Sequence, residues 1–182
     1  AARLVASLSP ESRKVTQAIL GYPPQSVGRL MTPDYVRLRA EGTCEQAMDH
    51  IRRHGKDAET INVVYVTDEQ GRLIDDLRLR QVLLAPKETR IESIMNRNFV
   101  TLRADMDREE AVRAMARYDR NALPVVDSRG SLIGIVTSDD VADVAQMEAT
   151  EDIQKMGVVG ALEDAYLSTG HMEMFKKRGV WL

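Results

Sequence analysis

One stretch of the chain collects acidic side chains with no basic residue among them. It runs from residue 134 to residue 152 and contains Asp139, Asp140, Asp143, Glu148, Glu151 and Asp152. If the stretch is helical, Asp140, Asp143 and Glu151 fall on one side, because they are spaced i, i+3 and i+11. Hard divalent cations such as Mg²⁺ take oxygen ligands and keep several waters, so weak sites of one or two carboxylates suit such a face. The alternative is an ordinary solvated acidic face.

Other residue types that could do chemistry are sparse. His50 and His54 are spaced i, i+4 beside Asp49, which can hold a transition metal, but no third ligand is evident and a helix end is the better interpretation. The single cysteine, Cys44, falls on an apolar helical stripe and is predicted to be a small core residue. No set of nucleophile, base and orienting group is visible, so we predict that the chain is not an enzyme.

Length and composition limit the classes of protein that the chain can represent. It has 182 residues, a formal charge of −3 and one cysteine, so no disulfide can form within the chain and a reducing compartment is expected. No apolar run approaches the ~20 residues that cross a bilayer. The charge gives no basic footprint, so nucleic acid is not an expected partner.

An internal repeat indicates which elements carry the acidic residues. The segments "GRLMTPDYVRL", "CEQAMDHI", "VVYVTDEQGRLI" and "DLRLRQVL" recur in order as "ESIMNRNFVTL", "REEAVRAM", "ALPVVDSRGSLI" and "IVTSDDVA". Each copy reads as a short strand, a helix with an apolar stripe, a hairpin and a second helix. Gly71 and Gly130 fall at the two hairpin tips. The fold class is therefore α/β, as two β-α-β-β-α units that bury their sheet faces against each other.

The flanks suggest how the chain divides. We predict the end of a helical domain and a linker over residues 1–27, the first copy over 28–90, the second over 91–150 and a connecting helix over 151–182. The closing "FKKRGVWL" places a basic cluster before an aromatic and apolar residues, as a segment does where it meets a membrane helix.

The two copies resemble a tandem cystathionine-β-synthase-type pair, a CBS pair, over about residues 28–145. "ILGYPPQSVGRLMTPDYVRL", "SDDVADVAQMEATEDIQKMG" and "FKKRGVWL" are further similar to the cytosolic part of MgtE-type magnesium channels, and "EATEDIQK" is the most specific piece. The resemblance implies a homodimeric Mg²⁺ sensor at the cytoplasmic face of the membrane, joined to an N-terminal helical domain and a transmembrane domain. Bound Mg²⁺ would hold acidic faces together and close the pore.

The resemblance also implies a set of metal-binding residues: Glu109, Asp119, Asp140, Asp143, Glu148, Glu151 and Asp152. Glu109 is on the first helix of the second copy, and Asp119 comes just after it. Like charges that repel without the ion and are bridged with it would make the closed state depend on ion binding.

A CBS pair can also bind ATP or AMP, and the resemblance marks such a site by a Gly-x-x-Ser/Thr-x-x-Asp run. The second copy has it as Gly134, Thr137 and Asp140, whereas the first copy has Asp75, Arg78 and Gln81 in their places. Thr137 could instead simply cap the following helix. The alternatives to a Mg²⁺ sensor are therefore an adenine-nucleotide sensor and a plain dimerisation module.

Overall fold

The computed structural model describes residues 16–147, 149 and 150, and it has two three-stranded sheets of the same design. The first contains β1 (Tyr35–Arg39), β2 (Thr60–Thr67) and β3 (Leu73–Arg78), and the second contains β4 (Leu102–Arg103), β5 (Ala122–Val126) and β6 (Leu132–Thr137). In each sheet the first strand pairs parallel with the second, and the second pairs antiparallel with the third. The predicted α/β class and the repeated unit are confirmed.

Two helices of each copy fall where the repeat predicts them, and a short helix before the first strand of each copy was not predicted. The helices are α1 (Val27–Leu30), α2 (Cys44–His54), α3 (Leu79–Leu84), α4 (Ile91–Ile94) and α5 (Arg108–Tyr118), with α6 over residues 138–147 and a further helical stretch over 16–20. Thr43 and Gln46 form a reciprocal capping box that begins α2. Asp107 caps α5 by accepting a 2.9 Å hydrogen bond from the Glu109 amide.

Part of the core of each copy comes from the segment that leads into the other copy. Val27 and Met31 come before β1 in the chain, yet they pack with the core of the second copy, which includes Leu123 and Val136. Ile91 comes before β4 and is fully buried in the core of the first copy. The two copies are therefore interlocked through their leading segments.

The two sheets also share a buried layer and a backbone contact. Val63, Tyr65, Leu73, Val126, Leu132 and Ile135 form this layer between the sheets. The hairpin tips pair through Leu73 N to Gly130 O at 3.1 Å and Leu132 N to Gly71 O at 3.0 Å. Gly71 and Gly130 adopt φ values of 81° and 80°, which explains the choice of glycine at both predicted tips.

All of these elements except residues 143–147 of α6 belong to one compact unit that ends at Ala142, and a second unit begins at Asp143. Within the part of the chain that the structure describes, no helix combines the length and the apolar character needed to cross a membrane.

Candidate metal and ligand sites

Asp140 lies in the first turn of α6 and is engaged with Thr137. Its Oδ2 accepts a 2.8 Å hydrogen bond from the Thr137 hydroxyl and a 3.2 Å hydrogen bond from the Thr137 amide. Oδ1 is in no hydrogen bond or ion pair with the rest of the described chain. One carboxylate oxygen of Asp140 therefore has a structural role, and the other could face a cation.

Glu109 and Asp119 stand at opposite ends of α5, and both are exposed. Glu109 forms an ion pair with Arg113 at 3.2 Å across one helical turn. Asp119 ends the helix in the left-handed conformation, with φ 48° and ψ 52°. Ten residues of helix separate the two by about 15 Å along the axis. Since Mg²⁺–oxygen distances are about 2.1 Å, these two carboxylates cannot share one ion directly.

The remaining members of the predicted metal set add little within the described residues. Asp143 is exposed and belongs to the second compact unit. Glu148, Glu151 and Asp152 lie outside the residues that the structure describes. Over residues 16–147, 149 and 150, no three side chains of histidine, cysteine, aspartate or glutamate come together as a metal-binding group. Any ion at Glu109 or Asp119 would therefore need ligands from elsewhere or from water.

Gly134 in the nucleotide-like run has a packing role that the sequence did not reveal. A Cβ at this position would lie 2.9 Å from both the Met31 sulfur and the Thr32 carbonyl oxygen. The backbones of Thr32 and Ile135 exchange two hydrogen bonds, of 2.8 and 2.9 Å, beside it. A glycine is required here for the leading segment of the first copy to approach β6, with or without a ligand.

The first copy replaces that glycine with Asp75, and the replacement is structural. The Asp75 side chain is fully buried. Its Oδ2 accepts hydrogen bonds from the amides of Asn96 and Arg97 at 2.8 and 3.0 Å, and its Oδ1 accepts one from Asp76 at 2.9 Å. Arg97 has a positive φ of 55° in this turn. In the first copy, the Asp75 carboxylate thus holds the segment that leads into the second copy. At the corresponding position of the second copy, Gly134 allows close backbone packing instead.

A second buried acid, Asp76, was not predicted as a functional residue. It lies opposite Tyr65 in the β2–β3 register and is only 6% exposed. Arg120 contacts both carboxylate oxygens, Oδ1 at 3.4 Å as a hydrogen bond and Oδ2 at 3.3 Å outside hydrogen-bond geometry. Asp76 Oδ2 and the Tyr65 hydroxyl are therefore buried without a hydrogen-bond partner. Burial raises the pKa of Asp76 while Arg120 opposes the rise, and burial also raises the pKa of Tyr65.

Three cavities lie in the region where the two copies meet. One of about 280 Å³ is bordered by Glu59, Thr60, Asn62, Asn121, Thr137, Ser138 and Asp139, next to the nucleotide-like run. The other two, of about 470 and 520 Å³, share Arg78, Arg80 and Arg120. The signal for this arginine cluster was present in the sequence, since Arg78 stands where the second copy has Thr137.

His54 ends α2 and Cys44 lies in the core, as the sequence predicts. The histidine rings lie 4.2 Å apart at the end of α2, and the Nδ1 atom of His54 contacts the His50 carbonyl at 3.0 Å. Burial is the main cause that lowers the pKa of His50, and His54, Arg53 and Arg37 lower it further. Cys44 is 1% exposed in the core of the first copy.

A family model and several similar proteins of known sequence identify the same kind of protein. The model of the CBS domain matches residues 27–88 and 91–146. The magnesium transporter MgtE of Thermus thermophilus is 45% identical over 180 residues, which covers 99% of this chain and 40% of that protein. MgtE of Bacillus subtilis is 35% identical over 178 residues, which covers 98% of this chain and 39% of that protein. The chain thus spans about two fifths of the length of these relatives.

Solved structures agree with the family match. The cytosolic domain of the Mg²⁺ channel MgtE in complex with ATP superposes with a TM-score of 0.76 at 47% identity, over 78% of this chain and 57% of that chain. The soluble part of a magnesium transporter gives a TM-score of 0.79 at 32% identity, over 81% of this chain and 58% of that chain. The relatives that match nine tenths or more of the chain are transporters rather than enzymes.

Proposed function

The chain belongs to the CBS domain family, and on that premise we propose that it is the cytosolic Mg²⁺-sensing region of a magnesium transporter. The observation that carries the proposal is the match to MgtE transporters over almost the whole chain, acidic segment included. In this proposal Mg²⁺ bridges acidic faces, closes a homodimer and thereby closes the pore of a transmembrane domain beyond this chain. The predicted ligands remain Glu109, Asp119, Asp140, Asp143, Glu148, Glu151 and Asp152.

The distribution of the carboxylates supports bridging rather than a single enclosed ion. Glu109 and Asp119 are exposed at opposite ends of one helix, and the described residues offer no group of three ligands. An exposed carboxylate can be shared with a second acidic surface through one hydrated ion. Such sites are weak singly, and in this proposal several of them respond together as the Mg²⁺ concentration rises.

The test is the thermal unfolding midpoint of the chain as a function of Mg²⁺ concentration at fixed ionic strength. We expect the midpoint to rise with millimolar Mg²⁺ and the rise to be blunted in Asp119→Asn, because asparagine keeps the left-handed backbone but removes the charge. Glu69→Gln, an exposed hairpin position outside the predicted set, is the matched control. A rise no larger than that in monovalent salt would reject the sensor.

A homodimer is part of this proposal and has a separate test. Leu83 and Leu84 at the end of α3 are 60% and 70% exposed, an apolar pair that a second copy could cover. Sedimentation of the chain should show a larger dimer fraction with Mg²⁺ than with a chelator. A monomer at all Mg²⁺ concentrations would leave the acidic faces without a partner and contradict closure of a dimer.

An adenine-nucleotide sensor is the second candidate function. It is supported by the cavity of about 280 Å³ beside Thr137 and by the similar structure solved with ATP. Thr137 and Asp140 hydrogen-bond to each other through Asp140 Oδ2, which leaves Oδ1 as the acceptor for a ribose hydroxyl. ATP or AMP should then raise the unfolding midpoint without Mg²⁺, and Thr137→Val should abolish the effect. A plain dimerisation module would respond to neither ligand.

A further inference from the structure

The histidine pair at the end of α2 has the spacing of a metal-binding helix. His50 and His54 stand four residues apart, as the two histidines of an H-E-x-x-H zinc helix do, although the intervening "IRR" lacks the glutamate. Residues four apart share one face of a helix. The two rings lie 4.2 Å apart between centroids and are tilted by 32°. One tetrahedral ion with bonds of about 2.0 Å holds two nitrogens about 3.3 Å apart, which rings at this separation can supply.

The hydrogen bond of His54 fixes which of its ring nitrogens can bind an ion. Its Nδ1 lies 3.0 Å from the carbonyl oxygen of His50, and because a carbonyl only accepts, Nδ1 carries the proton. The lone pair of the neutral ring is then on Nε2, which has no hydrogen-bond partner in the described part of the chain. Histidines that bind metals are commonly oriented by such a bond from the other nitrogen to a carbonyl. His54 therefore already has the form that a metal requires.

His50 is also available as a neutral ligand, and space remains in front of both rings. Its ring nitrogens form no hydrogen bond with other described residues. Burial lowers the pKa of His50, and His54, Arg53 and Arg37 lower it further, so the ring is uncharged at pH 7. Both histidines line a cavity of about 650 Å³ between β1 and α2. Water can complete the coordination of an ion there.

The surroundings of the pair decide which class of cation it can hold. Arg37 and Arg39 line the cavity with the two histidines, and none of the described lining residues is an aspartate or a glutamate. A hard ion such as Mg²⁺, which binds through carboxylate and carbonyl oxygens, is therefore disfavoured. A borderline ion is held by imidazole nitrogen itself and needs no carboxylate beside it.

We propose that His50 and His54 together bind one borderline divalent transition ion, of the class of Ni²⁺, Cu²⁺ and Zn²⁺, with water in its other positions. The site shares no residue with the predicted Mg²⁺ ligands and goes beyond the proposed function. With two protein ligands it is a reversible site, since closed structural zinc sites have four. Because both ligands lie on one face of α2, the ion links the last turns of this helix and stabilises the folded chain.

The test is calorimetric titration of the whole chain with Ni²⁺ at a pH above 7, with millimolar Mg²⁺ present throughout. We expect a site that binds Ni²⁺ more tightly than Mn²⁺ and less tightly than Cu²⁺, the order typical of nitrogen ligands. His50→Gln and His54→Gln should each weaken it by about tenfold or more, because a second ligand nearby acts at a high effective concentration. His171→Gln is the matched control, since it changes the third histidine, which lies outside the described residues. The electron paramagnetic resonance spectrum of the Cu²⁺ form should show two bound nitrogens.

Each other result would overturn the proposal. Binding that both α2 variants keep and that His171→Gln loses would place the ion outside this helix. Equal affinity for Ni²⁺ and Mn²⁺, or displacement by Mg²⁺, would indicate carboxylate ligands. No binding of Ni²⁺ would leave the pair as an ordinary helix end, and a single nitrogen in the Cu²⁺ spectrum would show that the rings do not act together. Because Mg²⁺ is constant in every titration, these results are independent of whether the acidic residues sense it.

Discussion

Asp75 fixes the segment that leads into the second copy, because its carboxylate accepts hydrogen bonds from three backbone amides. Replacing Asp75 with alanine would leave the amides of Asn96 and Arg97 without their partly buried acceptor. We expect Asp75→Ala to lower the free energy of unfolding by about 3 kcal/mol, measured by urea denaturation. Asp57→Ala, at an exposed position, should change it by less than about 0.5 kcal/mol. Equal effects of the two changes would contradict the role given to Asp75.

Asp76 should make a pH-dependent contribution to stability of the sign opposite to that of most acids. Burial raises its pKa in the folded chain above the ordinary 3.8, so the folded state binds the proton more tightly than the unfolded state. The contribution is present below pH 3.8 and is lost as the pH rises through the folded pKa. The stability of the wild type relative to Asp76→Asn should therefore fall with rising pH. A relative stability that increases with pH would show that Arg120 outweighs burial.

Individual residues were predicted best where a local pattern decides their environment. Cys44 lies in the core because the apolar stripe of α2 places it there. The sequence showed that residues 75, 78 and 81 depart from the nucleotide-like run, but not what replaces it. The partner of Asp75 is a turn about twenty residues away, and the partner of Asp76 is Arg120 in the other copy. Such long-range contacts leave no periodic signal in the chain.

At the scale of elements, Gly134 is where a strand and a leading segment come close enough to exclude a side chain. We expect Gly134→Ala to destabilise the chain by about 1–3 kcal/mol, because the new methyl group would meet Met31 and Thr32 at 2.9 Å. Gly42→Ala is the matched control, since its Cβ would have no neighbour nearer than 3.5 Å. Urea denaturation of both variants measures the difference. Equal stabilities would mean that the segment around Met31 yields at little cost.

The order of elements was predictable because each helix or strand has its own hydrophobic period and is bounded by residues that favour turns. The hairpins follow from the apolar runs on either side of the polar turns that contain Gly71 and Gly130, and both glycines have the positive φ that such tips need. The strand β4 is only two residues long, shorter than its counterpart β1, and the repeat alone did not indicate this difference.

At the scale of the whole molecule, the acidic sites depend on more than this chain's described residues. Glu109, Asp119 and Asp140 could be named from a family resemblance, yet they do not form a coordination sphere among themselves or with another residue of the described part. A Mg²⁺ site that is completed by a second acidic surface depends on the distance between this chain and the molecule or domain that carries that surface. No pattern within one sequence fixes such distances, so the ligand set remains a proposal.

The interlocked cores predict that the two copies unfold as one unit. Ile91 belongs by sequence to the second copy, but it is buried in the core of the first, while Val27 and Met31 do the reverse. The shared layer around Tyr65 couples them further.

Ile91→Ala should therefore lower the midpoint of a single thermal transition that includes both copies, at a cost of about 3–4 kcal/mol, rather than split that transition into two. Scanning calorimetry should give a calorimetric enthalpy for this transition equal to its van't Hoff enthalpy. Leu20→Ala, at a position 48% exposed and outside the three core clusters, should leave the midpoint nearly unchanged. Two resolved transitions in the Ile91 variant, one of them at the wild-type midpoint, would show that each copy is stable without the other's leading segment.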